Sequence, residues 1–183
     1  MTALTRAPAN LSLLQSTKFR LTFERLSGMT FFCQSANFPG VSLTEIPRPT
    51  PFVDLYMPGE KIVYDTFNIS FLVDEDLRSW TEIHDWIRGM TFPTDFKEYI
   101  GLSRQSAGSY HSSVFSKGLK PQYTDASLTL YTNQNNPNFR IKFVDLFPTS
   151  LSTIIVNTGD SAENIITADA SFRFSYYDYE RIE

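Results

Sequence analysis

Apolar and polar residues alternate in several short stretches of the chain, and a period of two predicts half-buried strands. Phe19, Leu21 and Phe23 alternate with Arg20, Thr22 and Glu24. The turn pair Ser27-Gly28 follows, and residues 30–37 read as a second strand, so the first two strands are expected to form a hairpin. Phe38-Pro39-Gly40 breaks the pattern. Residues 41–60 carry Pro47, Pro49, Pro51 and Pro58; proline donates nothing to a ladder, so this stretch is expected to be an edge strand or an extended loop. Residues 61–73 read as one long strand with Phe67, Ile69, Phe71 and Val73 on one face.

One stretch has helical spacing. Leu77, Trp80, Ile83, Ile87 and Met90 recur on one face, with Trp86 widening the apolar arc. Asp74-Glu75-Asp76 places acids at its start, and Gly89 and Pro93 end it. Residues 94–122 show no sustained period, so they read as a long loop insertion that is functional or ordered only against a neighbour. A hairpin follows: Leu128 and Leu130, the turn Asn133-Gln134-Asn135-Asn136-Pro137, then Phe139, Ile141 and Phe143. Pro148 reads as a break, and residues 151–156 as a further strand or turn. The last strand sets Ala168, Ala170, Phe172, Phe174 and Tyr176 against Asp169, Ser171, Arg173 and Ser175. Six or seven strands and one helix predict a mostly β fold: a β-sandwich or partly closed barrel with one flanking α-helix and a long loop insertion. Residues 1–183 read as a single domain whose first 16 residues form an irregular arm.

Composition adds to this picture without redirecting it. Sixteen Phe and nine Tyr suit a strand-rich core, and a formal charge of −4 gives no basic footprint for sequence-specific nucleic-acid binding. Cys33 is the single cysteine, which excludes an internal disulfide and suits a reducing compartment. The first fifteen residues lack the apolar core of a signal peptide, and no apolar run reaches the ~18 residues of a membrane-spanning helix.

Catalytic chemistry is poorly supplied, and no enzyme is expected. The two histidines are His84, at the edge of the helix's apolar arc, and His111, in the loose loop. No nucleophile-elbow or phosphate-cradling glycine motif occurs. Asp74-Glu75-Asp76 lacks the spacing of a calcium loop and reads as helix capping. No metal and no cofactor are expected. What remains is surface for assembly. Arg20, Glu24, Arg140, Lys142, Asp169 and Arg173 lie on polar strand faces as candidate lumen or inter-subunit residues, or as ordinary solvated positions. Trp80 and Trp86 are candidates for packing, in the core or between subunits.

The order of motifs resembles the tail tube protein family of T4-type contractile-tailed bacteriophages. The resemblance rests on "FRLTFERLSGMTFFCQSANFPGV", Glu45-Ile46-Pro47, "PGEKIVYDTFNISFLVDED", "HDWIRG", "VDLFPTSLSTI" and the closing "ASFRFSYYDYERI". It implies a structural subunit: six copies form a ring with an inner β-barrel, and rings stack into a hollow tube. A contractile sheath surrounds the tube, DNA is ejected through its lumen, and the family has no catalysis. It further implies contacts with the sheath, baseplate or tube-initiator, terminator and tape measure proteins, without sequence-specific binding of genomic DNA. It implies location in the virion tail after assembly in the host cytoplasm. Six copies at −4 each would make the ring acidic and keep phosphates from sticking. A tube initiator or baseplate-junction protein of the same fold, and the tube of a bacterial contractile injection or secretion system, are the alternative readings.

Overall fold

The structure, a computed structural model, describes residues 12–26, 28–91, 93, 97, 122–159 and 165–182. Among them are nine strands and two helices. In chain order they are β1 (Phe19–Phe23), α1 (Met29–Phe32), β2 (Cys33–Ala36), β3 (Val41–Pro49), β4 (Asp54–Tyr64), β5 (Phe67–Leu72), α2 (Arg78–Met90), β6 (Thr124–Tyr131), β7 (Pro137–Leu151), β8 (Thr167–Arg173) and β9 (Tyr176–Arg181). Strands β1, β6, β7 and β9 form one four-stranded layer, and the end of β7 with β8, β5 and β2 forms the other. Among the described residues the sheet does not close into a barrel, and the expected mostly β, sandwich-like fold holds.

Strand β7 joins the layers. Residues 139–144 pair with β9 and residues 147–151 with β8. Between them Asp145 has φ 55°, a left-handed conformation that costs a non-glycine residue energy and needs support. The support is local: the Asp145 N–H donates to Asp125 Oδ1 at 3.1 Å, and Ser175 Oγ donates to Asp145 Oδ2 at 3.4 Å. Burial raises the Asp125 carboxyl above its usual range, because desolvation disfavours its charge.

The alternation seen in the sequence becomes a core. Leu21, Phe23, Phe67, Ile69, Phe71, Leu128, Ile141, Phe143, Ala170 and Phe172 are buried between the layers. Phe67 stacks on Phe143 at 4.5 Å between ring centres, and Phe172 meets Phe23 at 5.5 Å. Helix α2 covers this core with Ile83 and Trp86. Asp74 caps it: its carboxylate accepts from the N–H groups of Arg78 and Ser79 and from Ser79 Oγ. Those bonds, from the Ser79 N–H and hydroxyl first, hold the Asp74 carboxyl below its usual range.

Four details differ from expectation. The stretch after Gly28 begins with one turn of helix, α1, and β2 then pairs with β5 rather than β1. Strand β1 pairs instead with β6, more than a hundred residues away. The long strand expected over 61–73 is two strands, β4 and β5, in different sheets. Pro148 does not end its strand: among the described residues β7 pairs at this end with β8 alone, beside a register shift, where a residue without an N–H is tolerated. The hairpin of β6 and β7 is as expected, with Asn135 in the left-handed conformation at its turn. Most of the 94–122 insertion and of the arm lies outside the described residues.

Strands β3 and β4 form a separate two-stranded sheet. Pro47 and Pro49 fit because a two-stranded ribbon leaves one side of each strand unpaired. The register shifts between Leu43 and Glu45. There Gly59 passes so close that a Cβ would stand 2.5 Å from the Thr44 carbonyl oxygen and also against Thr44 Oγ1. Only glycine fits, which gives the Gly59-Glu60-Lys61 motif a physical reason.

Candidate assembly surfaces

The polar face of the four-stranded layer is built in rows. Register places Arg20, Thr129, Arg140 and Glu180 side by side, then Thr22, Ser127, Lys142 and Asp178. The face is concave. Arg20, Glu24, Asp125, Thr129, Arg140 and Lys142 line a trough of about 540 Å³, and Thr129 is 9% exposed within it. Glu180 accepts from Lys142 Nζ at 3.0 Å and from Arg140 Nη1 at 3.2 Å. The hydrogen bond from Lys142, with the charges of both cations, holds the Glu180 carboxyl below its usual range.

Four of the six candidate polar residues, Arg20, Glu24, Arg140 and Lys142, therefore share this trough. The other two do not. Asp169 and Arg173 lie on β8 in the second layer. Asp169 borders a shallow groove with Asn68, Ser70 and Ser171. Arg173 Nη1 donates to the Tyr64 carbonyl at 3.2 Å, bracing the foot of the β3–β4 hairpin. Trp86 is a core residue: it is 1% exposed, its Nε1–H donates to the Gln122 carbonyl, and Arg25 lies over its ring. Trp80 is half-buried, donates to the Ser152 carbonyl and stacks on the half-exposed ring of His84. Burial pushes the Cys33 thiol up to about 11, which disfavours the nucleophilic thiolate, and the side chain packs against the core. Among the described residues no group of three or more His, Cys, Asp or Glu is placed to hold a metal, and no helix is long and apolar enough to cross a membrane.

Sequence reasoning missed two features. Asp178 and Glu180 went unnoticed because residues 168–176 read as one strand. The chain bends at Ser175, whose N–H donates to the Val144 carbonyl, and the inward face moves from even to odd positions, so Tyr177 packs on Phe143. The adjacent pair Tyr176-Tyr177, one aromatic on each face, was the available signal. The second feature is the pairing of residues 41–64, expected as an edge strand or extended loop, into a hairpin of their own. Val41, Leu43, Ile46, Leu55, Met57 and Ile62 are each about half exposed, and Phe52 at its tip is 98% exposed. A two-stranded ribbon is marginal alone, and an apolar surface of this extent is a candidate contact surface.

The sequence model of the family described as phage tail tube protein matches residues 7–180. A protein of Enterobacteria phage T4 named tail tube terminator protein is 22% identical over 161 residues, covering 85% of this chain and 80% of that protein. Among solved structures, the fold is shared with the tube terminating cap of the anti-feeding prophage at TM-score 0.63, 14% identity and full coverage of both chains. It is also shared with a chain of the PVC sheath-tube complex, an extracellular contractile injection system in its extended state. That likeness has TM-score 0.56 and 11% identity, covering 100% of this chain and 99% of that one.

Proposed function

The chain belongs to the phage tail tube protein family, and from that premise we propose that it is a ring-forming structural subunit of a contractile phage tail. The observation that carries the reading is the β3–β4 hairpin. Its apolar side chains face solvent on both surfaces of a ribbon that Arg173 ties to the body at its foot. Their burial is completed on neighbouring copies of the chain. Six copies form a ring, the four-stranded layer lines a hollow lumen, and rings stack inside a sheath so that DNA leaves along the bore. The whole chain acts as one domain in this work, and the polar trough faces the bore. Arg20, Arg140 and Lys142 are balanced on this face by Glu24, Asp178 and Glu180, which leaves a weak field rather than a phosphate-binding one. The partners are sheath, baseplate or initiator, terminator and tape measure proteins. Assembly takes place in the host cytoplasm.

A second reading is favoured by the T4 likeness: a ring that ends the tube instead of continuing it. One experiment separates the two. The purified protein is weighed in solution and imaged by negative-stain electron microscopy across a concentration series. Hollow rings that stack without limit support the tube subunit. Single rings that never stack support the terminating ring. A chain that stays monomeric when baseplates or tube ends are added overturns both.

A further inference from the structure

The four-stranded layer has two open edges. Among the described residues β1 pairs only with β6, and β9 only with β7. Every pairing in the layer is antiparallel, so β1 and β7 run one way while β6 and β9 run the other. The β1 edge of one copy therefore meets the β9 edge of another in the same antiparallel sense, and a sheet can continue from copy to copy. This follows within the ring reading above.

The two edges also carry opposite unpaired charges on the same face. Arg20 stands on β1, and among the described residues its guanidinium has no ion pair. Asp178 stands on β9, exposed and likewise without one: the Lys142 ammonium opposite it goes to Glu180 instead. On the other face, Tyr179 leaves 70% of its surface exposed beside Phe139.

We propose that the seam between copies is an antiparallel β1–β9 pair in the register that sets Arg20 opposite Asp178 of the second copy. That register also brings Phe19 of one copy opposite Tyr179 of the next, covering an aromatic ring the single chain leaves in water. The register two residues away sets Arg20 against Glu180, which already accepts from two cations, and Tyr179 against Leu21, already 1% exposed. Charge and apolar burial thus select the same alignment.

Cross-linking tests the register directly. Residues directly opposite in an antiparallel pair have Cα atoms about 4.5–5.5 Å apart, within disulfide reach. Two full-length chains, each carrying Cys33→Ala, are mixed: one with Arg20→Cys, the other with Asp178→Cys. Oxidation is expected to give a cross-linked dimer of the two. Thr22→Cys mixed with Asp178→Cys reports the other register and is expected to cross-link at least tenfold less. Charge reversal supplies the second arm. Arg20→Asp and Asp178→Arg are each expected to raise the protein concentration needed for ring formation at least tenfold. The two together are expected to restore it to within about threefold, with circular dichroism unchanged throughout.

Efficient cross-linking through Thr22 but not Arg20, or a double reversal as poor as either single one, overturns the seam. Wild-type rings that form while both arms fail overturn the seam and leave the ring reading standing. A wild-type chain that forms neither rings nor cross-links at millimolar concentration overturns both.

Discussion

The β3–β4 hairpin and the β5–β8 pair are built from the same kinds of residue and end in opposite environments. In β5 the apolar residues alternate, and Phe67, Ile69 and Phe71 disappear into the core while Asn68 stays in water. In the hairpin, Val41, Leu43 and Ile46 are as apolar, yet none is buried. Hydrophobicity therefore says that a surface will be covered without saying which chain covers it. The body satisfies its apolar surface within one molecule, and the hairpin defers the same demand to another.

Substitutions can break that division of labour. Phe172→Ala removes a ring packed by Phe23, Phe67 and Trp86. It is expected to cost about 3–5 kcal/mol of unfolding free energy by urea titration. At about 2–4 °C per kcal/mol, its Tm falls by roughly 6–20 °C. A smaller effect, on the order of 1–3 kcal/mol and confined to the ribbon, is expected for Gly59→Val, because the new side chain meets the Thr44 carbonyl. Hydrogen exchange is expected to quicken at β3 and β4 only, while ring formation fails.

Leu43→Ser combined with Ile62→Ser alters a cross-strand pair that faces water. Body stability is expected to move by less than about 0.5 kcal/mol. The concentration needed for assembly is expected to rise at least tenfold, about 1.4 kcal/mol in association. Body destabilisation comparable to that of Phe172→Ala would sink the comparison.

The smallest effect tests the cap. Asp74→Ala is expected to cost about 1 kcal/mol near neutral pH. The folded pKa of Asp74 is lowered, so its contribution is fully present above the unfolded value of about 3.9 and is lost as pH falls through the folded one. Wild type and variant are therefore expected to converge in stability on acidification.

Local patterns were legible wherever one element decided its own fate. The periods of β1, β5, α2 and the β6–β7 hairpin could be read directly, and so could the Asp74 cap. Pairing across long separations could not. Nothing in residues 19–23 says that they choose residues 126–130 over the nearer residues 33–36. That choice belongs to the packing of Phe23 on Phe172 and the burial of Leu21 in the same core. The polar-face positions of Arg20, Glu24, Arg140 and Lys142 can be read from their alternation with core residues. Asp178 and Glu180 were not, because a bend without glycine or proline at Ser175 shifted the alternation. The alternation of β8 carries Arg173 outward, but its tie to the Tyr64 carbonyl depends on a long-range approach that no spacing encodes.

Strand β7 gives the molecule a mechanical character. Fifteen residues at about 3.3 Å each make one covalent beam of roughly 50 Å that passes through both layers. The layers cannot slide past one another as two stacked plates would, because shear along the beam stretches backbone bonds. The softer mode is a change of angle between the layers at Asp145, where backbone torsion and the hydrogen bonds to Asp125 and Ser175 resist. A pull along β7 in one layer thus reaches the other through backbone bonds, as a bracket bent from one sheet of metal carries load around its corner.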